Sequence, residues 1–188
     1  MRHSRGFTLI ELLIVVTIAA ILLGLAVPSF TRLIQSSTIS SNVNTFLADL
    51  RFARSEAIRL GGGVVMCRSS NPEATASATC GTGSLVGWET GWIIFQDLNN
   101  SLTRSSGEPL LRAQGPITAI DSIPEAGAAT KFRFTATGRL QNLASGAATI
   151  QFGGNGTFPN DVQRVVCVNL SGRARIAGNG TASCATDN

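Results

Sequence analysis

The chain has 188 residues and a formal net charge of +4, with 44% hydrophobic and 14% charged residues, a length that leaves room for one ordinary domain beside an anchor segment. Its single histidine, His3, sits at the very N-terminus, its four cysteines include no Cys-x-x-Cys spacing, and tyrosine is absent. Those counts argue against a metal site, leave a nucleophilic enzyme without a visible base, and give little material for an aromatic platform that stacks single-stranded bases.

Residues Arg2 to Gly6 form a short basic segment, followed by an almost unbroken apolar run from Phe7 to Val27 that contains one carboxylate, Glu11. About 21 residues at ~1.5 Å each span a hydrocarbon core of roughly 30 Å. A secretory signal peptide carries its cleavage site after the apolar stretch and no acid inside it, so this run predicts a retained anchor. An acid in a spanning helix costs about 2.5 to 3.5 kcal/mol. Glu11 therefore either lies near enough to the interface to be tolerated or pairs with a charge on a neighbouring subunit.

Beyond the anchor the helix continues, bent at Pro28, where one backbone hydrogen bond is lost. Phe30, Leu33, Ile34, Val43, Phe46, Leu47, Leu50, Ala53 and Ala57 recur at three- and four-residue intervals and define an apolar face. Arg51, Arg54, Glu56 and Arg59 fall mostly off it. Gly61-Gly62-Gly63 ends the helix. Short β-branched and aromatic runs then predict strands at Val64–Cys67, Gly91–Phe95, Leu110–Arg112, Lys131–Thr135, Ala148–Phe152 and Arg164–Asn169, separated by Gly, Asn, Ser and Pro. The fold class implied is α+β, a long N-terminal helix packed on an antiparallel sheet. Residues 1–6 read as a leader, 7–28 as the membrane-spanning half of the helix, 29–62 as its amphipathic half and 63–188 as a β-rich head. Trp88 and Trp92, four apart in a strand-like context, read as core and rim packing, and Asp97-Leu98-Asn99-Asn100 as a turn, since it lacks the Gly and Glu of an EF-hand loop.

Charge is unevenly distributed along the head. Residues 73–125 carry six acids against Arg104 and Arg112, whereas residues 126–188 carry Lys131, Arg133, Arg139, Arg164, Arg173 and Arg175 against Asp161 and Asp187. The C-terminal end is expected to present a basic surface. Within it, an extended Gly172-Arg173-Ala174-Arg175 would project both arginines to one side about 6.6 Å apart, with Gly172 letting the backbone turn and approach a ligand. Two guanidiniums so placed bind phosphate oxygens without reading bases. Lys131, Arg133, Arg139 and Arg164 would widen the patch. Cys67 with Cys80 and Cys167 with Cys184 are neighbours in sequence, but four cysteines allow three connectivities.

Four stretches carry resemblances. Gly6-Phe7-Thr8-Leu9-Ile10-Glu11 resembles the leader junction of type IV pilins and type II secretion pseudopilins. Leu50-Arg51-Phe52-Ala53-Arg54-Ser55-Glu56-Ala57-Ile58-Arg59, Gly87-Trp88-Glu89-Thr90-Gly91-Trp92-Ile93-Ile94-Phe95 and Ser171-Gly172-Arg173-Ala174-Arg175 resemble the GspH/FimT family. The resemblance implies cleavage between Gly6 and Phe7 by a prepilin peptidase, N-methylation of Phe7, and alignment of an incoming subunit by Glu11. It implies an inner-membrane precursor with a periplasmic head, no cofactor, and other pilins or pseudopilins as partners. Two roles divide the family: minor pseudopilins of type II secretion, and minor pilins of which some bind DNA during natural transformation. Gly172-Arg173-Ala174-Arg175 is similar to the Gly-Arg-x-Arg element of the DNA-binding group, which points to sequence-independent contact with double-stranded DNA.

Overall fold

The computed structural model describes residues 7–83, 87–126, 129–143, 146–156 and 158–184. Helix α1 occupies Leu9–Leu60 and does not end at Pro28. The chain divides into two compact units, Met1–Ser37 and Thr38–Asn188. In the first, the most apolar 18-residue window has a mean hydropathy of 2.8 and none of it is buried, so this segment has the length and composition to cross a membrane. Phe30, Leu33 and Ile34, expected on the apolar face, are all exposed here.

The second unit holds the hydrophobic core and begins inside the helix rather than at its end. Ile39, Val43, Phe46, Leu47, Leu50, Ala53 and Ala57 form its inward stripe, each at most 5% exposed. Among the described residues eight strands follow: β1 Gly62–Arg68, β2 Trp92–Gln96, β3 Leu110–Gln114, β4 Glu125–Ala126, β5 Lys131–Thr135, β6 Ala147–Phe152, β7 Arg164–Asn169 and β8 Ala174–Gly178. All six predicted strands form. The glycine run ends the helix as expected, although Gly62 and Gly63 already belong to β1. β4 is too short to leave a pattern, and β8 follows β7 so closely that its Arg-rich start reads as loop.

The strands make two four-stranded antiparallel sheets rather than one, ordered β3-β2-β1-β5 and β4-β6-β7-β8. An isolated bridge between Phe134 and Leu140, with the Leu140 amide donating to the Leu170 carbonyl at 2.9 Å, ties them together. The inner faces of both, including Val64, Met66, Ile94, Phe132, Phe134, Ile150, Phe152, Val166 and Val168, share one core with the α1 stripe. Phe46 is its hub, edge-on to Trp88 at 5.2 Å, Trp92 at 5.3 Å and Phe152 at 5.5 Å. Each such pair adds about 0.5 to 1.5 kcal/mol beyond buried area. Trp88 lies in a single 3-10 turn, Trp88–Thr90, not in a strand, and both tryptophans are fully buried, so neither is at a rim.

Each sheet also carries a small cluster on its outer face. Val65, Cys67, Ile93 and Phe95 pack there with Ala78 and Cys80, and Val165 and Cys167 pack with Cys184. Disulfides Cys67–Cys80 and Cys167–Cys184 pin the covering loops, so the sequence-local pairing holds. Closing loops of 13 and 17 residues contributes roughly 3 kcal/mol each on the chain-entropy model. Because both faces are covered, the central strands β2 and β7 are buried almost throughout instead of alternating.

Candidate functional site

Two places carry the residues singled out by the sequence. At the N-terminal end Gly6 lies outside the described residues, while Phe7 is 76% exposed. Thr8 precedes the helix and its hydroxyl accepts the Glu11 amide at 3.3 Å, which makes it an N-cap with the Thr-x-x-Glu spacing of a capping box. Glu11 is exposed in the first turn, where the positive end of the helix dipole favours a carboxylate. Its charge is therefore presented at the outer surface of the helix, available to a cation from another chain.

The second place is the hairpin from β7 into β8. Asn169 builds its turn: the Gly172 amide donates to the Asn169 carbonyl at 2.9 Å, and the Asn169 side-chain oxygen accepts the Ser171 hydroxyl at 2.6 Å and the Arg173 amide at 3.1 Å. Beyond it Ala174 packs against the core, and Arg173 and Arg175 on either side of it are exposed. Arg175 stands opposite Cys167 in the β7–β8 register, so it shares the outer face with the Cys167–Cys184 cystine.

Gly172 itself packs against the turn at Gly138. It is buried at φ +72°, and a Cβ there would overlap the Gly138 carbonyl oxygen and come within 3.3 Å of Phe134. Gly138, also at φ +72°, closes the turn after β5, and a Cβ on it would sit 2.7 Å from Arg54 Nε and 3.0 Å from Ile58. Two bare glycines thus let the α1 arginines, the turn bearing Arg139 and the β8 entrance come close together.

The result is a groove of about 290 Å³ lined by Leu50, Arg51, Arg54, Ser55, Ile58, Gly172, Arg173 and Ala174. Arg51, Arg54, Arg139 and Arg173 make no salt bridge among the described residues. Arg51 and Arg54 are the functional candidates that sequence reasoning passed over as solvated charges off the apolar stripe. A signal was present: two arginines three apart with no acid three or four positions away repel each other on a helix, unlike Arg59, which pairs with Glu56 at 2.6 Å.

The other basic candidates are occupied elsewhere. Lys131 donates to the Leu102 carbonyl at 3.0 Å. Arg133 pairs with buried Asp97 at 3.6 Å and bonds Gln141 and Asn100. Arg164 donates to the carbonyls of Asp161, Val162 and Gln163. These contacts brace loops over the outer sheet faces and bring none of the three to the groove.

The 97–108 loop is a structured turn: Asp97 accepts the amides of Ser101 and Leu102, and Glu108 accepts those of Leu98, Asn99 and Ser105. Among the described residues no three His, Cys, Asp or Glu side chains cluster as metal ligands. A separate polar hollow of about 500 Å³ contains Arg68, Glu89 and Glu125. Arg68 pairs with Glu125 at 2.7 Å, yet Arg68 Nε and Glu125 Oε2 are buried without partners. Burial pushes the Glu125 carboxyl above its ordinary value, the Arg68 charge opposes that, and the Glu89 carboxylate adds to it.

A retained apolar helix with a capped acid in its first turn, joined to a β-rich, doubly disulfide-bonded head, defines a pilin-type filament subunit. The sequence places it more narrowly: residues 42–172 match the family described as type II transport protein GspH and residues 1–27 match the prokaryotic N-terminal methylation motif, so the chain belongs to the GspH/FimT group of type IV pilin-like proteins. Such a subunit is made as a membrane-anchored precursor, processed by prepilin peptidase at the methylation motif, and assembled with other pilins. No curated protein sequence matches the chain. Its fold is similar to that of the type IV minor pilin FimU of Pseudomonas aeruginosa strain PAO1 in two crystal forms. One has a TM-score of 0.56 at 20% identity, covering 78% of this chain and 92% of that one; the other has a TM-score of 0.54 at 21% identity, covering 77% and 97%.

Proposed function

We propose that the chain is a minor type IV pilin that enters a pilus through its N-terminal helix and binds double-stranded DNA without sequence preference, for uptake in natural transformation. On this reading Gly6–Phe7 is the cleavage site, Phe7 the methylated terminus, and Glu11 the acid that pairs with a neighbour's terminal amine. Residues 7–28 sit in the inner membrane before assembly and the head lies in the periplasm, where its two disulfides form readily. The role is structural and adhesive, with no catalytic step and no cofactor.

The observation that carries the DNA reading is the exposure of Arg173, just before the edge strand β8, and of Arg175 within it, the latter on the face that carries the Cys167–Cys184 cystine. A phosphate contact from each guanidinium is a charge-assisted hydrogen bond to a group present in every sequence. The purified chain should shift duplexes of unrelated sequence alike, and its affinity should fall steeply with salt. Replacing Arg173 and Arg175 with Ala should reduce binding at least ~10-fold and flatten the salt slope by about 2, since each lost phosphate contact removes roughly 0.9. Unchanged affinity in the double variant sinks this reading. A second reading, a minor pseudopilin at a secretion pseudopilus tip, is favoured by the family description over residues 42–172. It predicts capture of partner pseudopilins in place of DNA, and a gene placed among secretion genes.

A further inference from the structure

We propose that Arg51 and Arg54 of α1 are the second wall of a phosphate-binding groove whose first wall is Arg173, and that one strand's sugar-phosphate backbone lies along it. This rests on the DNA reading above but adds a site from the helix, an element to which the C-terminal motif assigns no part. The groove already described brings Arg51, Arg54 and Arg173 to one opening. Its remaining surface is largely carbon, from Leu50, Ile58 and Ala174, which suits the apolar edge of deoxyribose as the three guanidiniums suit the phosphates. Arg51 and Arg54 rise about 4.5 Å apart along the helix axis, close enough to engage neighbouring oxygens or successive phosphates of one strand.

Three features indicate that the opening is built rather than left over. The helical arginines repel one another, with no acid three or four positions away and no salt bridge among the described residues, a cost that a bound anion reverses. Gly138 and Gly172 withhold the side chains that would displace Arg54 or fill the space beside it. Arg139 follows Gly138, whose turn meets Arg54, and is exposed with no salt bridge among the described residues, so that turn adds a further cation. Guanidiniums that meet phosphates along one backbone provide affinity without sequence reading.

The test uses the full chain in detergent with a fluorescent duplex, reading Kd by anisotropy across a salt series. R51Q/R54Q, which keeps helix propensity, should raise Kd at least ~10-fold at low salt and reduce the log–log salt slope by about 2, equally for unrelated sequences. Arg54 lies over Gly138, so R51Q alone, at an exposed position, is the safeguard against a folding effect; it should flatten the slope by about 1. If R173A/R175A weakens binding while R51Q/R54Q leaves Kd and slope as in the parent, the groove proposal is overturned and the motif reading stands. If the parent chain binds no duplex, both fall. If R51Q/R54Q leaves DNA binding unchanged but loses co-purifying pilins, the groove holds an acidic segment of another subunit and the proposal is likewise overturned.

Discussion

Gly172→Ala separates a packing role from a ligand-approach role for the glycine of Gly172-Arg173-Ala174-Arg175. At φ +72° an alanine pays about 1 to 2 kcal/mol for left-handed backbone. Its Cβ must also displace the Gly138 carbonyl, a backbone atom with no rotamer to yield, and press on Phe134 in the core. Overpacking of that kind costs about 1 to 3 kcal/mol, so the sum is roughly 2 to 5 kcal/mol. The assay is urea unfolding of the non-reduced Thr38–Asn188 unit, which contains every buried residue of the hydrophobic clusters. With a slope near ~2 kcal/mol/M for a domain of this size, the midpoint should fall by about 1 to 2.5 M. A midpoint unchanged within about 0.3 M, accompanied by lost DNA binding, refutes the packing account and returns Gly172 to the ligand.

Asp49 accepts the indole N–H of buried Trp92 at 2.8 Å and an Arg112 guanidinium at 2.6 Å, with Arg112 also lying 4.0 Å over the Phe52 ring. Because the Arg112 side chain is 44% exposed, solvent screens the ion pair, and most of the cost of Asp49→Ala, about 1 to 3 kcal/mol, comes from the stranded indole donor. Asp49→Asn keeps an acceptor for Trp92 and should recover much of the loss in urea unfolding; equal losses would contradict this. Glu125 binds its proton more tightly in the folded head than in the unfolded chain, facing Arg68 and Glu89. The stability it contributes is full below the ordinary value of 4.5 and is lost as pH rises through the raised folded value. The Tm of the parent minus that of Glu125→Gln should therefore fall between acidic and neutral pH, and a difference that grows with pH would reverse the assignment. Glu11→Ala should block pilus assembly in cells while leaving a leader-processed chain on a gel; assembly at the parental level would dismiss the intersubunit pairing.

The elements with strong periodicity were legible from the residues. Val43 to Ala57 carry a helical stripe, Lys131–Thr135 and Ala148–Phe152 alternate, and each forms as expected because one face must leave water. The division into two sheets was not legible, since it depends on the Phe134–Leu140 bridge and the path of the chain between β5 and β6. Of the candidate site, Arg173, Arg175 and Arg139 were visible as charges. What their surroundings do was not: Lys131, Arg133 and Arg164 bind carbonyls and side chains brought by distant loops, a matter of tertiary contact that composition does not encode. Arg51 and Arg54 join the groove for the same reason, because Gly138 and Gly172 meet them only once the head has folded.

The two cystines sit on β1 and β7, each an interior strand of its sheet, and each uses the outward-pointing side of that strand. A slip of one residue in strand pairing turns every side chain to the opposite face. Cys67 would then point toward α1 and away from Cys80, and Cys167 would turn likewise from Cys184. Closing both bonds therefore requires native register at the centre of each sheet, and a head with misaligned strands keeps free thiols that exchange can attack again.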